Sequence, residues 1–124
     1  MYRDEPTTLE ALRQRGFGRA FTRGVVTITV THGPISSPSM GAGGLALHRD
    51  HDGREQLDTY TVTHVVSGQA AVSGIPSRTL ARGVLAVLLD AYRHWDRPVS
   101  KLPARKLAPL CRRLKILVLA REEA

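Results

Sequence analysis

The nine residues Asp58-Thr59-Tyr60-Thr61-Val62-Thr63-His64-Val65-Val66 decide how this chain is read. β-Branched and aromatic side chains fill the stretch, and successive residues of an extended strand point to opposite faces. Tyr60, Val62, His64 and Val66 therefore share one side, and Thr59, Thr61, Thr63 and Val65 share the other. One side suits a core and the other carries hydroxyls, the pattern of a half-buried antiparallel strand.

Upstream, Leu45-Ala46-Leu47-His48-Arg49 alternates in the same way, and Asp52-Gly53 supplies the turn that closes a hairpin. Downstream, Ser67-Gly68 leads into a further short strand, Gln69-Ala70-Ala71-Val72-Ser73. Farther upstream, Val26, Ile28 and Val30 alternate with Thr27, Thr29 and Thr31, which predicts a first strand within Arg19 to His32. Gly33 to Gly44 holds two prolines, three serines and four glycines, a composition that predicts a loop. The strands then form a four-stranded antiparallel meander.

Past the sheet, Ser77 is a good N-cap, and Leu80, Val84, Val87, Leu88, Ala91 and Trp95 recur at helical spacing. This predicts one long helix ending near Asp96 to Pro98. Leu85 and Leu89 lie outside that stripe, so the apolar surface is wide enough to cover the sheet and meet a second subunit; a homodimer is expected. Thr7 to Arg15 predicts a short helix capped by Thr7 or Thr8 and stopped by Gly16. Between Lys101 and Arg121, Leu110, Leu114, Leu117 and Val118 fit another helix, although Leu114 to Leu119 also reads as an edge strand; helix is favoured. The fold class is α+β, in one domain of 124 residues: a basic arm or short helix over 1–18, a sheet-plus-helix core over 19–98, and a basic, helical C-terminal segment over 99–124.

The formal charge is +7, and its distribution matters more than its size. No acidic residue falls between Ala11 and Arg49, a stretch holding Arg13, Arg15, Arg19 and Arg23. None falls between Arg97 and Ala120 either, beside Lys101, Arg105, Lys106, Arg112, Arg113 and Lys115. Such blocks attract polyanions. Cys111 is the single cysteine, which excludes an internal disulfide and fits a reducing, cytoplasmic setting. Met1 to Pro6 is acidic and apolar-poor where a secretory leader needs an apolar run, so no export is expected. Gly83 to Leu89 and Leu114 to Ala120 are far shorter than the roughly 20 residues that span a bilayer, so no membrane segment is expected.

Arg15-Gly16-Phe17-Gly18 matches the opening of the RNP1 pattern, but Arg19 stands where the next aromatic belongs and no strand and helix precede it. What survives is Phe17 and Phe21 interleaved among arginines, able to join phosphate contacts to base stacking or simply to pack in a core. The threonine face could bond phosphates, although any sheet with one wet face shows threonines. His48-Arg49-Asp50-His51-Asp52 looks like a metal cluster, but His51 points away from His48 and Asp50 and no second ligand pair appears. An exposed hairpin end is the simpler reading. His64 reads as a core or interface histidine, and His94 and Trp95 as the end of the long helix. Cys111, without a partner histidine, reads as inert. No phosphate-binding loop, dinucleotide fingerprint or His-Glu-x-x-His motif occurs.

Four antiparallel strands followed by a long helix is an order also used by small single-stranded nucleic-acid binders. A helix, three strands and a helix would suit a double-stranded-RNA-binding domain, in which Arg78 and Arg82 at the start of the helix would approach phosphates. Both are likenesses of architecture and not of residues. The leading expectation is a non-catalytic, dimeric nucleic-acid-binding protein without metal or cofactor. It would use Arg13, Arg15, Phe17, Arg19, Phe21, Arg23, Tyr60, Arg105, Lys106, Arg112, Arg113 and Lys115. The alternatives are an assembly module whose basic tail meets an acidic protein partner, and a metal-dependent hydrolase around His48, Asp50 and His51.

Overall fold

The computed structural model describes residues 5–30, 33–52 and 54–120; Thr31, Gly53 and Arg121, read above as strand end, turn and helix end, lie outside them. The elements run α1 (Leu9–Gly16), β1 (Thr22–Val30), β2 (Gly33–Ala42), β3 (Leu45–His51), β4 (Gln56–His64), β5 (Gln69–Ile75), α2 (Arg78–Ala91), a 3-10 turn (Val99–Lys101) and α3 (Ala104–Ala120). The strands form one antiparallel meander in the order β1-β2-β3-β4-β5.

The α+β class stands, but the sheet has five strands and not four. The additional strand is β2, the serine-, proline- and glycine-rich stretch read as a loop. It pairs with β1 from Thr22↔Gly41 to Val30↔Gly33, and with β3 only from Ser39↔His48 to Ala42↔Leu45. Pro34 and Pro38 are four residues apart, so both missing N–H groups fall on the same side of the strand. Because β3 reaches β2 only from Ser39, the side away from β1 has no ladder there to lose. Gly43 and Gly44, both at positive φ, make the turn into β3. The next turn is organised by Asp52, whose side chain accepts the backbone N–H groups of Glu55 (2.9 Å) and Arg54 (2.8 Å). Those bonds hold its carboxyl below the usual range.

Ser77 caps α2 by accepting the Leu80 N–H at 3.2 Å, as its type and position predict. Thr8 does the same for α1, accepting from Ala11 at 3.1 Å. The helices lie on one face of the sheet, where Leu45, Leu47, Val62, Val72 and Ile75 meet Leu80, Val84 and Leu88 of α2 and Leu107, Leu110, Leu114 and Val118 of α3. Each such leucine or valine contributes roughly 1.5–3 kcal/mol by leaving water. The other face carries a small cluster of Val26, Ile28 and Ala46 with Ile35 beside it.

Two expectations about α2 change. Leu85 is fully buried and Leu89 packs against the core, because α1 and α3 of the same chain flank the helix. The wide apolar surface assigned to a second subunit is therefore covered internally. The helix also stops at Ala91, where Tyr92 turns extended, and Trp95 folds back so that its indole N–H donates to the Leu88 carbonyl at 3.0 Å. At the C-terminus the helix reading holds over Ala104–Ala120, with Pro109 inside it.

Candidate functional site

Where the first residues of β1 approach the start of α2, the surface opens into a groove of about 550 Å³. Its position follows from the register. Arg23 lies opposite Met40, and Arg49 opposite Tyr60, so all four side chains share the helix-side face of the sheet beyond the end of the helix layer. Arg78, the first residue of α2, closes the groove from above, and Gln56 lines it from β4. No aspartate or glutamate is among the lining residues.

The three arginines are held differently. Arg78 points an Nη2 at the Met40 sulfur, 3.1 Å away; a thioether is a weak acceptor, so most of the guanidinium's five donors remain for an anion. Arg23 is exposed and has no ion-pair partner among the described residues. Arg49 donates to the Leu57 carbonyl (2.6 Å) and to Asp58 (2.8 Å), which fix its direction; Asp58 itself is fully exposed, so that pair is weak. Next to the groove, Arg82 donates to the Arg19 carbonyl at 2.8 Å and sits 5.0 Å from the centre of the Phe21 ring, a cation–π contact.

The cations expected to act together are divided. Arg15 and Arg19 both bind Asp90, at 2.7 and 2.9 Å. Burial disfavours the Asp90 carboxylate, but hydrogen bonds and charge from these two arginines outweigh it and keep its carboxyl below the usual value. They pin the last turn of α1 and the segment after it to the end of α2. Arg13 pairs with Glu10 at 3.6 Å, and Arg113 makes a bidentate pair with Glu5 at 2.7 and 2.6 Å. Lys115 reaches back to Ser73 of β5. Arg105, Lys106 and Arg112 are exposed on α3, which packs on β5, the edge of the sheet opposite β1. Phe17 is exposed, whereas Phe21 is half-buried against the core.

Of the residues singled out from sequence, Arg23 and Tyr60 line the groove and Phe21 adjoins it through Arg82. Arg78 enters the sequence reading only through the double-stranded-RNA-binding order, and Arg49 and Gln56 do not enter it as binding residues. Arg78 and Arg82 had a legible signal, basic residues in the first turns of a helix with no acidic residue in its first turn. Arg49 had none, because its direction depends on the β3–β4 register.

The opposite face answers the remaining readings. Thr59 and Thr61 donate to the two oxygens of Asp50, each at 2.5 Å, and Thr63 lies 2.7 Å from Nε2 of His48, so the β4 threonine face is engaged internally and not arrayed for phosphates. A register break between Arg49 and His51 brings His51 into one trough with His48 and Asp50, against the expectation that it points away. Among the described residues no three His, Cys, Asp or Glu side chains gather to hold a metal ion. His64 is a core histidine: its Nε2 donates to the Arg97 carbonyl at 2.8 Å and its Nδ1 accepts from Ser67 at 2.7 Å. Burial pushes the Cys111 thiol up to about 11 despite Arg112 beside it. Among the described residues no helix is long and apolar enough to cross a membrane.

Comparison with known proteins finds no matching family model, no matching curated protein and no matching solved structure.

Proposed function

We propose that this protein binds nucleic acid without catalysis, through the groove between the start of β1 and the start of α2. The observation that carries the reading is the convergence of Arg23, Arg49 and Arg78, from three separate elements, beside Tyr60 on a surface with no lining carboxylate. Guanidinium groups bind phosphate oxygens in bidentate fashion, and a half-buried tyrosine edge offers a rigid surface against which one base can lie. A recess of this size favours a single strand, whose nucleotides can splay into it, over a rigid duplex.

The test is fluorescence anisotropy of labelled single-stranded and duplex DNA and RNA at low salt. Single strands should bind, with affinity falling steeply as salt rises. Arg23→Gln combined with Arg78→Gln should weaken binding at least tenfold. The α3 variant Arg105→Gln/Lys106→Gln should change it little. Absence of association with any of these nucleic acids at low salt overturns the proposal.

Self-association is a second element of the reading, and it rests on β1 in place of α2. Among the described residues β1 is an outer strand paired only with β2; it lacks proline and carries its one charge at Arg23, and Val25 is 71% exposed. The other outer strand, β5, is shorter, has register breaks against β4 and has a lysine seated on it. A bare, β-branched edge pairs readily with an identical edge around a two-fold axis.

A further inference from the structure

On the sheet face turned away from the helices, a trough of about 460 Å³ runs from β1 to β5. Its polar groups are His48, Asp50, His51, Thr61, Thr63 and Ser73, and its apolar ones include Ile28 and Leu57. The volume is within the range of small-molecule sites.

The hydrogen bonds determine what this lining can offer. The Arg49 carbonyl only accepts, so Nδ1 of His48, 3.2 Å from it, carries the ring proton and Nε2 accepts from the Thr63 hydroxyl. The Thr59 and Thr61 hydroxyl hydrogens are both directed at Asp50. These hydrogens are thus engaged within the protein, and what the threonines and Asp50 present to the trough is lone pairs: the threonine oxygens and the remaining acceptor positions of a carboxylate. Glu5, Glu10, Asp58 and Asp90 each have an arginine partner; among the described carboxylates without a lysine or arginine partner, Asp52, Glu55 and Asp96 are exposed and Asp50 is half-buried. At the β5 end, Lys115 is anchored to Ser73, so a second cation is directed toward β3, where Asp50 lies.

The geometry points to a binding site for a small organic cation, a primary ammonium or guanidinium on a short aliphatic stem, seated with its N–H groups on Asp50 and its stem along Ile28 and Leu57. A donor-rich cation fills the acceptors that the threonines and Asp50 present and supplies the missing counter-charge; an anion of the same shape meets a carboxylate. The trough shares His48 with the lining of the arginine groove, but its recognition groups are separate and its ligand is of opposite charge.

The experiment is an amide NMR titration of the full chain at pH 8, where histidine is ordinarily neutral, with n-butylammonium, n-butylguanidinium, n-butanol and butyrate. The cations should give saturable shifts centred on Asp50, Thr61 and Thr63, with butanol and butyrate at least tenfold weaker. Asp50→Asn should weaken cation binding at least tenfold. The inference is overturned if the cations bind no better than butanol or butyrate, if their shifts lie away from the trough, or if folded Asp50→Asn binds them equally well. Should Asp50→Asn not fold, the wild-type comparison of butylammonium with butanol decides the matter alone.

Discussion

Gly16 of α1 meets Gly83 of α2 backbone to backbone: a Cβ on Gly16 would lie 2.8 Å from the Gly83 nitrogen, and a Cβ on Gly83 would run into the Leu12 carbonyl oxygen. The absence of both side chains lets α1 lie close enough to bury Leu12 completely. Gly83→Ala raises helix propensity by about 1 kcal/mol, but the collision with backbone cannot be relieved by a rotamer change. Net destabilisation of about 1–3 kcal/mol is expected, read as a lower urea midpoint. A stabilised variant would show that the two helices do not cross this closely.

Asp90 of α2 joins this helix pair through Arg15 of α1 and holds the connection to β1 through Arg19. Its carboxyl is depressed on folding below the ordinary 3.8, so it adds stability above that pH and loses it as pH falls through the folded value. Wild type should exceed Asp90→Asn by under about 1 kcal/mol at neutral pH, since the pair is partly exposed. The gap should close in acid. Urea midpoints measured from pH 7 to pH 2 check this, and a gap that stays constant to the lowest pH contradicts it.

Cys111 should be slow to alkylate. With its thiol raised from 9.0 to about 11, the thiolate fraction at pH 8 is about a hundredfold lower than for the unshifted group. Iodoacetamide labelling followed by mass spectrometry should be slow in the native chain and rapid in urea.

Salt dependence separates a phosphate contact from an indirect effect in the arginine groove. If Arg78 contacts a phosphate of a single strand, Arg78→Gln should reduce the slope of log affinity against log salt by about 0.7. An unchanged slope with weaker binding would assign Arg78 to shaping the groove.

Charge on the bare edge should block self-association. Val25→Lys places a cation on the outer strand, and light scattering should show wild type shifting toward dimer with concentration while the variant stays monomeric. A wild-type chain that is monomeric at every concentration removes β1 as an association surface.

The elements that announce themselves do so through local rules. Val62 and Thr63 alternate, Ser77 precedes an apolar stripe at helical spacing, and Thr8 stands before α1; each of these operates within a few residues of itself. β2 was hidden because its pairing with β1 draws on backbone groups that Ser, Pro and Gly possess as well as Val does, and a composition rule does not see them. Arg15, Arg19 and Arg113 looked available because the carboxylates that hold them, Asp90 and Glu5, are 75, 71 and 108 residues away in the chain.

From its residues alone, this chain committed itself to alternating strands, capped helices and a strong positive charge, since periodicity and charge are properties of neighbours. Which arginines face one another, which threonines surround Asp50, and that α2 needs no second subunit to cover it were decided by strand register and helix docking. Those are long-range contacts whose geometry exists only once the chain has closed on itself.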